Sequence, residues 1–245
     1  MAHMNPNLGQ VPSGEEFRRL FHPGADRVFV GADAAGLELR CLAHYIHPFD
    51  VCAFGKELLE GDIHQKLADI YGVDRRTSKT ITYCLIYGGG DTKLGISAGE
   101  TNPSKAQKRG KEIRIEVLNN LTGYKELTDA LSQRAQSGVI KGLDGRPIRL
   151  NGKNHVALNY LLQSCGAILT KEWLITNYEM MNEAGLDYYP LAYIHDEINM
   201  SVAPNDVEKA MHILEQSIHN VKDKIRFRIA LDAGAQRGGC WADVH

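Results

Sequence analysis

Arg27-Val28-Phe29-Val30-Gly31-Ala32-Asp33 is a short apolar run that ends in a carboxylate, and it reads as a buried strand. Just downstream, Gly36-Leu37-Glu38-Leu39-Arg40-Cys41-Leu42-Ala43-His44-Tyr45 reads as a helix with Leu39, Leu42 and Ala43 inward. Asp33 therefore stands where a strand hands over to a helix. An acid at the end of an apolar strand is costly unless it is paired or binds metal; a helix N-cap is the other reading that the local pattern allows. The same puzzle recurs near the far end of the chain. Residues 191–194 are strand-like, His195-Asp196-Glu197 breaks the run, and Ile198-Asn199-Met200 resumes it. That pattern is a hairpin with an acidic tip, which on its own is as readily a solvent-facing turn.

Between these two acids the sequence is mostly helical. Residues 62–70 carry a helical pattern that Gly72 and Asp74 break, and a second helix runs from Arg75 to Tyr87, stopping at Gly88-Gly89-Gly90. Residues 104–118 are helical and basic, with Lys105, Lys108, Arg109, Lys111 and Arg114, and residues 124–135 continue the helical character. Residues 141–146 form a turn inside a hairpin. Residues 159–180 make a long helix and residues 207–220 another, while residues 225–230 read as the last strand. Strands and helices alternate irregularly and without repeats, so the expected fold class is α+β.

With 245 residues, the chain has room for one or two domains. It is 43% hydrophobic and 24% charged, with a formal charge of -2, a balance that neither requires nor excludes a nucleic-acid partner. The five cysteines are scattered without a C-x-x-C pair, which reads as reduced thiols and offers no zinc site. No apolar stretch is long enough to span a membrane, and the first residues lack the apolar run of a signal peptide.

Two strands ending in acids can hold two Mg²⁺ ions about 3.5–4 Å apart, as phosphoryl-transfer sites require. In the helix beginning at Arg75, the residues Arg75, Lys79, Tyr83 and Tyr87 recur every four positions and share a face. Two cations there would meet phosphates and two rings would stack on bases; a solvated face with tyrosines packed beneath it explains the same spacing.

The motifs taken together resemble family A (Pol I-type) DNA polymerases, in the form found in T-odd phages. Arg75-x3-Lys79-x3-Tyr83-x3-Tyr87-Gly88 resembles motif B, the O helix; Asp33-Ala34-Ala35-Gly36-Leu37-Glu38-Leu39-Arg40 resembles motif A; His195-Asp196-Glu197 resembles motif C. They occur in the family's order. Asn7-Leu8-Gly9-Gln10-Val11-Pro12 is similar to the segment before motif A, Asn159-x3-Gln163 to the helix that monitors the nascent pair, and the ending Gly239–His245 to the phage terminus.

The resemblance implies a palm, an antiparallel sheet with helices, into which a mostly helical fingers subdomain is inserted. Residues 1–50 would be the first part of the palm, 51–140 the fingers and 141–245 the second part of the palm. It implies templated addition of deoxynucleotides to a primer 3′ end with release of pyrophosphate, using primer-template DNA, deoxynucleoside triphosphates and two Mg²⁺ ions, with Mn²⁺ as a substitute. Asp33, Asp196 and the Ala34 carbonyl would hold the metals. Arg75 and Lys79 would grip the triphosphate, with His64 as a further phosphate contact or an unliganded helix-face histidine. Tyr83 would pack on the incoming sugar and base and confer ready use of dideoxynucleotides. Tyr87 would stack near the template base. Glu38 would exclude a ribose 2′-hydroxyl, unless it faces solvent or pairs with Arg40. Gln163 and Asn159 would touch the minor groove, His155 would be a lesser contact, Glu197 would orient the site or a metal-bound water, and His195 would support the primer terminus or the hairpin.

Against that family the chain is short. The expectation is a C-terminal subunit of a split polymerase whose separate N-terminal chain supplies exonuclease and thumb, with the start Met1-Ala2-His3-Met4-Asn5 native or a cloning remnant. An apolar patch left bare on the palm and a cytoplasmic location, as a phage protein in a bacterial host, follow from the same resemblance. The rival readings are a catalytically inert polymerase fragment or DNA-binding subunit, a two-metal nuclease, and an RNA-synthesising relative. Paired acids repel phosphate when no metal is bound and so serve poorly for mere DNA binding, a nuclease has no need of a triphosphate-gripping helix, and Glu38 favours deoxynucleotides.

Overall fold

The computed structural model describes residues 8–12 and 14–244. Asn7, the Met1–Asn5 run and His245 lie outside the described residues. Along the chain come α1 (Glu15–Arg18), β1 (Val28–Ala34), α2 (Leu37–Asp50), α3 (Ala53–Glu60), α4 (Ile63–Tyr71), α5 (Arg75–Ile86), α6 (Asp91–Ser97), α7 (Pro103–Asn120) and α8 (Tyr124–Ala135). The hairpin strands β2 (Val139–Lys141) and β3 (Pro147–Arg149) follow, then α9 (Ala157–Glu183), β4 (Tyr188–Ile194), β5 (Glu197–Val202), α10 (Val207–Lys224) and β6 (Ala233–Gly238). The fold is α+β, an antiparallel sheet with helices. The described residues divide into two compact units, one running up to Leu37 and resuming at Gly166, the other Glu38–Cys165.

The first unit is built on a four-stranded antiparallel sheet in the order β4-β5-β1-β6. β1 is central, and its alternation sorts the faces. Phe29 packs with Ile194, Trp241 and Val244 in one cluster. Val30 and Ala32 point the other way, toward the side on which α10 lies, and are fully buried. Trp173 of α9 is also fully buried, and its indole N–H donates to the Leu214 carbonyl of α10 at 3.0 Å, so the largest core residue is polar-satisfied.

The last strand differs from expectation. Residues 225–230 pair with no strand, and the ladder partner of β1 is Ala-Gly-Ala-Gln-Arg-Gly, β6. Phe227, Ile229 and Leu231 are buried at alternate positions, which is why the segment mimics a strand pattern. Its apolar side chains fill the core while β6, made of small and polar residues, supplies the hydrogen bonds. Two short helices, α3 and α6, were likewise not legible from periodicity, being too brief to carry it.

The second unit is helical, with the β2-β3 hairpin closed at Gly142–Arg146 as its turn residues require. Its tightest crossing is α6 against α7. A Cβ on Gly95 would lie 1.9 Å from the Ala106 carbonyl oxygen, and one on Gly110 would lie 1.8 Å from that of Asp91. Glycine is thus required for the close backbone approach, and arginines of α7 fasten that helix to α6 and to α4. Arg114 donates to Asp91 at 2.8 Å and to the Gly89 carbonyl at 2.9 Å, and Arg109 donates to the Tyr71 carbonyl at the end of α4 at 2.5 Å. Gly110→Ala must push the two helices apart, and the expected cost is about 1–3 kcal/mol, as for other overpacked sites. Thermal melting measures it; an unchanged melting temperature would mean that the crossing can open without loss.

Candidate active site

In the first unit, the acids gather at one end of the sheet. β1 and β5 pair with Asp33 directly opposite Glu197, and the turn between β4 and β5 contains only His195 and Asp196. The Ala34 N–H donates to the Asp196 carbonyl at 3.1 Å, so the backbones of the two expected metal ligands are in contact. The residue before α2 is Gly36, which rules out Asp33 as that helix's N-cap. Asp33 is exposed at the strand end and Asp196 is half-buried.

Glu197 behaves differently from an acid on a solvent-facing tip. It is the first residue of β5 and only 4% exposed. The Trp241 indole N–H donates to its Oε1 at 2.7 Å and the Asn199 amide donates at 2.8 Å. Trp241 is itself clasped by Phe21, edge-on at 5.3 Å between ring centroids, and by the Arg18 guanidinium, 4.9 Å over its ring. Gly31, next to Asn199 on the ladder, has no room for a side chain: its Cβ would lie 2.5 Å from Asn199 Oδ1. Neither Trp241 nor Asn199 carries a sequence signal that marks it as a neighbour of an acid. His195 has φ 56, a left-handed backbone in the first position of a two-residue hairpin turn, where glycine is favoured. Strain of this kind survives where the surroundings over-determine the conformation.

Among the described residues no three His, Cys, Asp or Glu side chains form a ready-made metal cluster. Asp33 and Asp196 offer hard oxygen donors only, too few to encage an ion. That donor set suits Mg²⁺, which keeps waters and takes phosphate oxygens as its remaining ligands.

In the second unit, α5 has a buried face of Ser78, Ile81, Thr82, Leu85 and Ile86, which leaves Arg75 and Lys79 exposed. Tyr83 is half-buried and Tyr87, the C-cap residue, is 46% exposed, so both rings lie on the open side. The two rings stack at 6.3 Å with 22° between planes. The Tyr87 hydroxyl donates to Glu38 at 2.5 Å, which links that acid to α5. Asp74 caps α5, accepting from the backbone of Arg76 and Thr77. His64 stands on the first turn of α4; burial, then the positive charges of Lys79 and Arg75, hold its pKa below the usual imidazole value. Its Nδ1 is buried without a hydrogen-bond partner. Asn159 is buried and its amide reaches the Ile86 carbonyl at 3.5 Å, while Gln163, one turn on, and His155 are exposed. Asp62, which carries no expected role, bonds Arg75 at 2.7 Å. Its place before a helical pattern marks a cap, and nothing in the sequence connects it to a residue farther along. The five cysteines are free, and no helix among the described residues is long and apolar enough to cross a membrane.

A palm-type antiparallel sheet with acids at one end, together with a helical unit presenting cations and stacked rings, has the architecture of a template-directed polymerase palm and fingers. The profile of DNA polymerase family A matches residues 1–243, and the chain belongs to that family. The DNA-directed DNA polymerases of Enterobacteria phage T3 and Escherichia phage T7 are each 33% identical to it over 280 residues, covering all of this chain and 39% of theirs. DNA polymerase I of Chloroflexus aurantiacus is 28% identical, covering all of this chain and 28% of its own. The chain thus spans about two-fifths of the length of the phage relatives. Its fold is similar to that of the POL domain of Pol1 from M. smegmatis, solved in complex with DNA primer-template and dNTP, with a TM-score of 0.81 at 20% identity, over 98% of this chain and 45% of that one.

The depressed His64 pKa has a checkable origin. Lys79→Gln removes one of the two cations that oppose protonation, and NMR titration of His64 should give a higher pKa in that variant than in the wild type. An unmoved titration would mean that Lys79 does not act on the imidazole.

Proposed function

We propose that the chain carries out template-directed DNA synthesis, adding deoxynucleoside monophosphates to a primer 3′ end and releasing pyrophosphate. The observation that carries this reading is the pairing of β1 with β5, which brings Asp33, Asp196 and Glu197 to one end of the sheet in a member of family A. The fold likeness to a polymerase solved with primer-template DNA and dNTP supports primer-template DNA as the partner.

In this reading Asp33, Asp196 and the Ala34 carbonyl hold two Mg²⁺ ions, or Mn²⁺ in their stead. Divalent cations bound there supply activation of the primer hydroxyl and charge stabilisation at the transferring phosphate. Glu197, fixed by Trp241 and Asn199, orients the two ligands beside it rather than serving as one. His195 supports the hairpin that carries Asp196. Arg75 and Lys79 take the oxygens of the triphosphate and offset the charge that develops on pyrophosphate, and His64 adds a phosphate contact. Tyr83 packs on the incoming nucleotide, with Tyr87 beside it near the template base. Glu38, held by the Tyr87 hydroxyl, blocks a ribose 2′-hydroxyl. Gln163 and Asn159 test the minor groove, whose acceptors lie in similar places for all correct pairs. Residues 1–50 and 141–245 are assigned to the palm and 51–140 to the fingers.

Primer extension with Mg²⁺ and deoxynucleotides, run beside Asp196→Ala, tests the reading. Extension by the wild type and none by the variant is the expected result. Because the phage relatives are longer, the assay includes an arm with a chain bearing exonuclease and thumb supplied in trans. Absence of extension in both arms, or equal extension by Asp196→Ala, would sink it. A second expectation concerns Tyr83. Its hydroxyl substitutes for the interaction of a missing 3′ oxygen, so Tyr83→Phe should incorporate dideoxynucleotides less readily against deoxynucleotides, by about tenfold or more if one charge-assisted hydrogen bond is lost. An unchanged ratio in a competition assay would remove that role.

A further inference from the structure

Asp62 stands immediately before α4 and does two things with one carboxylate. Its Oδ1 accepts from the backbone N–H groups of His64 and Gln65, both at 3.1 Å, which makes it the N-cap of the helix. Its Oδ2 accepts from Arg75 Nε at 2.7 Å. The contact uses only Nε of the guanidinium, and among the described residues neither Nη nitrogen of Arg75 has a hydrogen-bond partner, which leaves both to a ligand. A second tie sets the two helices against each other: Ser78 Oγ donates to the His64 carbonyl at 2.7 Å. Asp62, His64, Arg75 and Lys79 are therefore brought together by the start of α4 and the first turns of α5, and Asp62 is the acid among them. Burial and the charges of Lys79 and Arg75 lower the pKa of His64, in keeping with a locally positive surface.

As a surface ion pair the Asp62–Arg75 contact would count for little, since both side chains are about half exposed. What sets it apart is that the cap has already immobilised the carboxylate. Arginine is held by a partner that gives up no further rotamer freedom, and its planar fork can be aimed without cost at the moment of binding. We infer that Asp62 is a positioning residue, holding Arg75 by its Nε edge so that the two Nη nitrogens meet the phosphate chain of a nucleoside triphosphate. This rests on the reading of Arg75 and Lys79 as the phosphate grip. It is opposed by simple electrostatics, because an acid beside an anion site repels the anion, and its removal should then tighten binding. The two ideas differ in sign, which makes the test sharp.

Asp62→Asn is the variant of choice, because asparagine caps a helix as well as aspartate while giving up the charge-assisted bond to Arg75. Calorimetric titration with inorganic tripolyphosphate is run on wild type, Asp62→Asn, Arg75→Ala and the double variant, with thermal melting of each. The expected result is a three- to tenfold weaker affinity in Asp62→Asn at an unchanged melting temperature. In the Arg75→Ala background the same change should have no further effect, since two residues acting through one contact are not additive. Equal or tighter binding by Asp62→Asn overturns the proposal, as does a loss that persists without Arg75. If Asp62→Asn fails to fold, Asp62→Ser, also a strong cap, is read by the same criteria. Failure of the parent reading looks different: tripolyphosphate then does not bind the wild type, or Arg75→Ala binds it undiminished, and the proposal falls with it.

Discussion

The register of β1 against β5 is the constraint on which the sheet and its acids depend. Side chains alternate along a strand, so a slip of one residue would send Asp33 to the α10 side of the sheet and bring Ala32 or Ala34 to the side of Trp241. The register is held from several directions. Phe29 fits a cluster with Ile194, Trp241 and Val244, Gly31 alone allows Asn199 and Val244 to close over the strand, and the Ala34 N–H bonds the turn carbonyl of Asp196. β6 pairs with β1 on its other edge and fixes it again. Apolar packing thus determines where the carboxylates stand, though none of them contributes to it.

In the helical unit the same economy applies to positive charge. Of the cations on α7, Arg109 and Arg114 are committed to the carbonyl ends of α4 and of the Gly89 loop, and so are structural. Lys105, Lys108 and Lys111 stay exposed on the same helix. A run of basic residues therefore overstates the charge available to a partner, because arginine, with its fork of donors, is readily drawn into helix-end contacts. On α5 the division is the reverse. The buried face is apolar or hydroxylic, and the cations Arg75 and Lys79 stand on the open side.

Much of this was legible in the sequence, for reasons that mark where legibility ends. The strand ending in Asp33, the hairpin around His195-Asp196 and the cation-and-ring stripe on α5 all show strong period or punctuation, and their order resembles that of family A. β6 was not legible, because Ala233–Gly238 has neither β-branched residues nor alternation, and its strand character comes wholly from pairing with β1. Residues 225–230 show the converse: Phe227 and Ile229 are buried at alternate positions in a segment that turns and bends and pairs with no strand. Glu197 lies in an acidic tip that the sequence leaves as readily solvent-facing as functional, because its burial depends on Trp241, more than forty residues away along the chain. Long-range partners of this kind leave no periodic trace.

Glu197 also shows how a buried acid can be kept without loss to the fold. Taking a carboxylate out of water is expensive unless hydrogen bonds replace the water. Here an indole N–H and an amide N–H do so, both donating to Oε1, and both donors are neutral. Directly across the ladder is Asp33, and like charges in opposite positions destabilise a sheet. That repulsion is tolerable where one acid is solvated by the fold and the other is exposed to water, and a cation binding at the strand end would relieve it. The Trp241 clasp, with Arg18 and Phe21 around the ring, then fixes the position of a negative charge that the neighbouring acids must accommodate. On the proposed reading, this crowding of acids is the physical condition that would draw a divalent ion to so few ligands.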